Sequence, residues 1–292
     1  MVELLVVIII IGLLAAILVT AVGGAREAAR RTQCIARQGD LAKAMIAYSV
    51  ANKGLPGYLE QPTAALPLHS WAVAIMPEIG ESKRYEVLMR TAPPAQPPEQ
   101  VTATLPALIC PSDNPQGTAR LNYVVNCGPS AAVRTNNSAM TGEDALYFTL
   151  FKDRRTRPDT SPDIVRKKVL IEEIPDGAGN TILLTENSDP RVDRVWYENW
   201  ASFGLDSAWK TASGDPIRSR DSIVRLGFVW WRDNDFLPNA PEAGNNVSRP
   251  SSKHPGTVVA AFADGSARPI NDDISIDEWM RAVCPDDSKG EF

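Results

Sequence analysis

Residues 1–24 read MVELLVVIIIIGLLAAILVTAVGG, and from Leu4 to Val22 they contain neither a charge nor a proline. At 1.5 Å per helical residue this run reaches about the 30 Å thickness of a bilayer's hydrocarbon core. An ordinary secretory signal would begin with a basic region, and none precedes the run. Unbroken apolarity of this length is also rare in the core helix of a soluble domain. The stretch therefore reads as a membrane-spanning helix. Glu3 stands at its head, where a carboxylate costs several kcal/mol, so it calls for a partner or a role.

The helical pattern continues past the span. Ala25 to Ala51 contains no proline, and Ile35, Leu41, Met45 and Tyr48 recur at helical spacing with Cys34 and Gln38 on the same stripe. Glu27 and Arg31 form an i,i+4 pair in the favourable order. Gly12 and Gly23-Gly24 are weak points, and "NKGLPG" (52–57) ends the helix. Three regions follow: a transmembrane half at 1–24, the remaining half of the same helix beyond the span at 25–52, and a globular domain at 53–292.

Beyond residue 55 the period shortens. "LPALICPSD", "LNYVVNCG", "KKVLIEEI", "NTILLTEN", "RLGFVWW" and "GTVVAAFADGSARPI" are β-rich runs bounded by Gly, Pro, Asn and Asp. The fold class expected is α+β, a long transmembrane helix followed by a mainly antiparallel sheet. "TAPPAQPPEQ" (91–100) is a proline-rich connector, and the segments at 129–144 and 152–163 read as long surface loops.

Composition narrows the function. A net charge of −5 without a long basic tract argues against nucleic acid. His69 and His254 are the only histidines, and HExxH, GxSxG, GxxxxGK[ST] and CxxC are all absent, so neither an enzyme nor a cofactor is expected. No metal site is expected either, apart from a weak oxygen-ligand Ca²⁺ candidate at Asp264, Asn271, Asp272 and Asp273, which lacks EF-hand spacing.

Cys110 and Cys127 flank a turn-rich stretch and are candidates for a disulfide in an oxidising compartment. Cys34 reads as a small apolar knob, and Cys284 as free or paired with any of the others. With no histidine near it in the sequence, Cys110 is not expected to be a nucleophile. Trp196, Trp200, Trp209, Trp230 and Trp231 fit core packing or, less commonly, a glycan or peptide surface.

"VELLVVIIIIGLL" with Glu3 resembles the N-terminal cleavage and methylation segment of type IV prepilins and type II secretion pseudopilins. "AREAARRTQC", "CPSD", "NTILLTEN" and "KHPGTVVAAFADGSAR" resemble one large pseudopilin-like bacterial family with a C-terminal H-x9-DG signature, which His254 and Asp264-Gly265 fit. The resemblance implies that Glu3 meets the N-terminal amine of a neighbouring subunit, and that the domain is translocated across the inner membrane on a single-pass anchor. Arg26, Arg30 and Arg31, placed after the span, would alone argue for a cytoplasmic domain, but long domains cross largely regardless of charge. The family's leader, its glycine and the Phe-Thr pair do not precede Val2, so an upstream start, read by prepilin peptidase, is expected in the genomic frame.

The expected function is a structural subunit that packs its helix against those of other pilin-like subunits in a secretion or pilus-like assembly. The alternative is a helix-anchored module that binds an envelope or extracellular ligand. The signature itself reads as a hairpin: "TVVAAFA" is a strand, "DG" a two-residue type I′ turn, and "SARPI" the return. Ten extended steps would place His254 and Asp264 about 25–33 Å apart, too far for one site, with His254 fixing the strand entrance.

Overall fold

The computed structural model describes residues 2–60, 67, 69–89, 103–113, 115, 120–129, 149–154, 168–189, 227–230, 234–240 and 249–286. The proline-rich connector, most of both long surface loops, and Trp196, Trp200, Trp209 and Trp231 lie outside them.

Helix α1 (Val2–Asn52) runs unbroken through the apolar stretch and its amphipathic continuation. Its 51 residues extend about 77 Å at the helical rise. Gly12 and Gly23-Gly24 do not interrupt it. At its end Lys53 turns left-handed (φ 57°), and the Gly54 N–H donates to the Ser49 carbonyl at 2.8 Å. This six-to-one bond satisfies a carbonyl that the last turn would otherwise leave open.

The two halves of α1 have different surroundings. The large apolar side chains described from Val2 to Val22 are all exposed, and the most apolar window has a mean hydropathy of 3.3 with none of it buried. It is one helix long and apolar enough to cross a membrane. Further along, Cys34, Gln38, Leu41, Met45 and Tyr48 are buried, so the helical stripe read from the sequence is the face that packs on the domain.

After α1 come β1 (Leu59–Glu60), β2 (His69–Ser70), α2 (Trp71–Ala74), α3 (Ser82–Leu88), β3 (Tyr123–Pro129) and β4 (Asp153–Arg154). They are followed by β5 (Ile182–Glu186), β6 (Gly227–Trp230), β7 (Thr257–Phe262), β8 (Ala267–Asn271) and α4 (Ile276–Val283). The main sheet has the order β6-β3-β5-β7-β8 and is antiparallel except where β3 meets β6. A small sheet of two-residue strands, β2-β1-β4, lies apart from it. The architecture is α+β, a long apolar N-terminal helix followed by a mainly antiparallel sheet.

Both faces of the main sheet are covered. Val259 and Ala261 of β7, with Ala263 beyond it, share a core with Cys34, Leu41 and Met45 of α1, whereas Ala260 and Phe262 share one with Trp279, Met280 and Val283 of α4. This is why β7 is buried at all six positions and reads as an unbroken apolar run rather than an alternating one. A capping box starts α4: the Ser275 hydroxyl accepts the Glu278 N–H, and the Glu278 carboxylate accepts the Ser275 N–H.

Two of the expected strands are absent. "LPALICPSD" forms a 3₁₀ turn at Pro106–Leu108, and "KKVLIEEI" forms another at Ile171–Glu173. In both, apolar residues three apart share one side, Leu105 with Leu108 and Ile171 with Ile174, so a tight turn packs them against the core, Ile171 only in part.

Candidate functional site

On the part of its packed face nearest the apolar half, α1 carries Glu27, Cys34 and Gln38, spaced so that all three point toward the sheet. Opposite them, three distant segments converge. Cys110 follows the Pro106–Leu108 turn, where its N–H donates to the Asn122 side chain at 3.0 Å. Glu186 closes β5. His254 sits in the turn before β7, and its N–H donates to the Ser252 hydroxyl at 3.0 Å.

The His254 ring is fully buried and its two nitrogens face different groups. Nδ1 lies 2.5 Å from Glu27 Oε1, while Nε2 lies 3.4 Å from Cys110 Sγ and 3.9 Å from Glu186 Oε2. Cys34 Sγ is 3.5 Å from Glu186 Oε2 and 3.5 Å from the Tyr123 hydroxyl. The other Glu186 oxygen accepts the Val259 N–H and the Ser252 hydroxyl, each at 2.7 Å. Gln38 Nε2 donates to Cys34 Sγ at 3.5 Å and to the Val259 carbonyl at 3.1 Å. One potential ligand atom from each of Cys34, Cys110, Glu186 and His254 lies within 4.8 Å of all the others.

At the mouth of the cluster Glu27 also accepts Arg30 at 2.6 Å and the Ser112 hydroxyl at 3.0 Å. Its ion pair along the helix is thus made with Arg30 at i,i+3. Burial pulls the His254 pKa down, but Cys110, Glu27 and Glu186 outweigh it and lift it to about 9. Burial likewise raises Glu27, yet the bonds from His254, Arg30 and Ser112 bring it below the ordinary carboxylate range. Glu186 is pushed up by burial. The contact with Cys34, then burial, drive the Cys110 thiol far up.

Several sequence expectations change here. Cys110 does meet a histidine, one 144 positions away in the chain. No disulfide joins Cys110 to Cys127, because Cys110 turns to His254 whereas Cys127 lies on β3 against Gly227 of β6. His254 does more than fix a strand entrance, since it ties α1 to the domain. Glu3 lies in the first turn of α1, exposed.

β7 and β8 form a hairpin, and Asp264 and Gly265 make its turn at the end of β7 opposite to His254. The turn is not type I′. Gly265 has φ 85° while Asp264 does not have positive φ, and the Gly265 N–H donates to the Phe262 carbonyl at 3.0 Å. The Phe262 N–H returns to Ser266 at 2.8 Å, closing a three-residue loop with glycine in the left-handed position. Asp264 Oδ1 accepts the Ser266 N–H at 2.8 Å. Burial raises the Asp264 pKa, but the Ser266 bonds outweigh it and hold it below its usual value. With the folded pKa depressed, this contribution to stability is present above the unfolded pKa and is lost as pH falls through the folded value. The Ca²⁺ candidate fails on geometry: Asp264 lies at the turn, whereas Asn271, Asp272 and Asp273 lie at the far end of β8, four or more strand steps of ~3.3 Å away.

Gly265 is also where the turn meets α1. A Cβ there would lie 3.2 Å from Ile46 Cδ1 and 3.2 Å from Lys43 Cγ. Gly265→Val is expected to cost about 2 kcal/mol through the left-handed backbone and the crowded helix, read as a lower thermal midpoint. Gly265→Asn, which tolerates that backbone better, should lose less; equal losses would show that backbone conformation is not the cause.

A helix-anchored α+β domain, clamped to its own helix by a buried Cys-His-Glu cluster, is the class defined by this geometry. The family described as "Protein of unknown function (DUF1559)", SBP_bac_10, matches residues 24–277, and the chain belongs to that family. The match begins where the apolar run ends and includes Glu27, all four clustered residues and the H-x9-DG segment. No curated protein and no solved structure matches the chain.

Proposed function

We propose that this protein is a pilin-like structural subunit of the cell envelope, anchored by a single pass in the inner membrane with its domain outside the cytoplasm. It joins a type II secretion or type IV pilus-like assembly by packing α1 against the helices of other pilin-like subunits. The observation that carries this reading is the division of α1: the half past Cys34 is spent on its own domain, while the described side chains of the apolar half are all exposed. Lipid covers such a surface, and in an assembly neighbouring helices share it.

The role is structural rather than catalytic. Cys110, His254 and Glu27 stand in the order of a nucleophile, base and orienting acid. However, Cys110 is 0% exposed and its thiol is held far from the thiolate, so this arrangement offers a substrate neither access nor a nucleophile.

The test is disulfide crosslinking of single cysteines placed from Leu4 to Val22 in the full chain in its native membrane. The four native cysteines are buried and therefore quiet. Crosslinking between copies, or to partner subunits, should rise and fall with a period of about 3.6 residues. Uniform crosslinking, or none at any position, would reject helix packing.

A further inference from the structure

We propose that Cys34, Cys110, Glu186 and His254 form a closed, four-coordinate structural site for a thiolate-favouring divalent cation, with Zn²⁺ the best fit. This goes beyond the anchoring role and does not depend on it.

The donors fit the ion in kind and in spacing. Two thiolates and an imidazole select zinc-class metals over Ca²⁺ or Mg²⁺, which take oxygen ligands. Tetrahedral zinc, with bonds of ~2.3 Å to sulfur and ~2.0–2.1 Å to nitrogen and oxygen, places its ligand atoms about 3.3–3.8 Å from one another. Three of the observed spacings are 3.4, 3.5 and 3.9 Å, and every one is within 4.8 Å, so the widest must close by at most about 1 Å.

The surroundings argue for the ion independently of the ligands. His254 binds Glu27 through Nδ1, so that Nε2 faces Cys110 and Glu186 and, once its proton leaves, is the ring atom that ligates the ion. Metal-bound histidines are held by a carboxylate in this same way. Glu186 is oriented through its other oxygen by the Val259 N–H and the Ser252 hydroxyl, leaving Oε2 for the centre. Gln38 supplies an N–H to Cys34 sulfur, a bond that favours a thiolate over a thiol.

Two thiolates, a carboxylate and a neutral imidazole around a dication leave a single negative charge, which these donors partly offset. Metal binding releases the two thiol protons and the Nε2 proton of the His254 imidazolium to solvent, and no redox step is involved. All four residues are buried, so no position is open to a substrate. The ligands come from α1, the turn after Pro106–Leu108, β5 and the turn before β7, so the ion would tie the anchor helix to three segments of the domain.

The full chain, purified in detergent without a polyhistidine tag, is the material for the test. Expected results are about one Zn²⁺ per chain by elemental analysis and, after exchange with Co²⁺, visible absorption of a tetrahedral, thiolate-bound ion. Cys34→Ser and Cys110→Ser should remove both signals. Should either variant fail to fold, Glu27→Gln at the partly exposed mouth keeps the ligands, and its Zn²⁺ affinity should fall ~10–100-fold. A chain that takes up neither Zn²⁺ nor Co²⁺ would overturn the proposal. So would full Zn²⁺ affinity in Cys34→Ser, or a Cys34–Cys110 disulfide found by mass spectrometry in protein from the native envelope.

Discussion

Glu3→Leu is expected to leave the protein in the membrane while removing it from its assembly. Glu3 is the one charge at the head of the apolar half of α1, exposed in the helix's first turn. Losing it makes insertion easier, because an ionised group no longer has to leave water. In an assembled bundle, the same carboxylate would be buried against a neighbour's cation, and removing one partner of a buried pair costs about 3–5 kcal/mol. At 1.4 kcal/mol per factor of ten, that is a loss of more than a hundredfold in association. Membrane fractionation should show unchanged retention, and the crosslinked species formed by cysteines between Leu4 and Val22 should disappear. Glu3→Gln separates charge from shape: it keeps the side chain's size and should lose assembly too. An unchanged crosslinking pattern in either variant would show that the carboxylate has no partner between subunits.

His254→Ala should destabilise the domain more than any surface change, by about 3–5 kcal/mol. The imidazole is 0% exposed and, among the described residues, is the cation paired with Glu186, which is itself fully buried. Its removal leaves that acid without a counter-charge and opens a cavity beside two thiols. The Glu27 side is discounted, because that carboxylate is 24% exposed and retains Arg30 and Ser112. With a urea dependence of about 2–3 kcal/mol per molar, the unfolding midpoint should fall by roughly 1–2 M. Fluorescence of the buried Trp71 and Trp279 reports it. Glu27→Gln should shift the midpoint far less. Equal midpoints for His254→Ala and the wild type would mean that the cluster does not hold the domain together.

The elements readable from the sequence are those with a strong period. Helix α1 was legible because two helical patterns, one uniformly apolar and one striped, join without proline. Strands β3, β5 and β7 were legible as apolar, β-branched runs between turn residues. The start of α4 carried a usable signal, Ser275 three residues before Glu278, and Ile276, Trp279, Met280 and Val283 recur at i, i+3, i+4 and i+7, but eight residues make little more than two turns beside the stronger hairpin.

The cluster could not be read in that way. Its members stand at 34, 110, 186 and 254, each on a different segment, and spacing rules for metal or catalytic motifs work only when ligands share a turn or a helix. Cys34 and Gln38 were visible as part of the helical stripe, yet a cysteine on such a stripe is usually just a small apolar side chain. Only the packing of β7 along α1 shows that the stripe changes from apolar to polar at the level of His254.

That packing has a mechanical consequence. His254 grips α1 near Glu27 and the Gly265 turn grips it near Lys43 and Ile46, so the strand between them lies lengthwise along the helix, like a splint tied at both ends. A pull directed along α1 from the membrane side would load both ties and the intervening contacts together, in shear. A sideways pull would reach the Glu27–His254 tie first and open the contacts one after another. Such a helix resists traction along its own axis and yields to bending, the property that the proposed assembly role would require of a subunit moved by force on its neighbours.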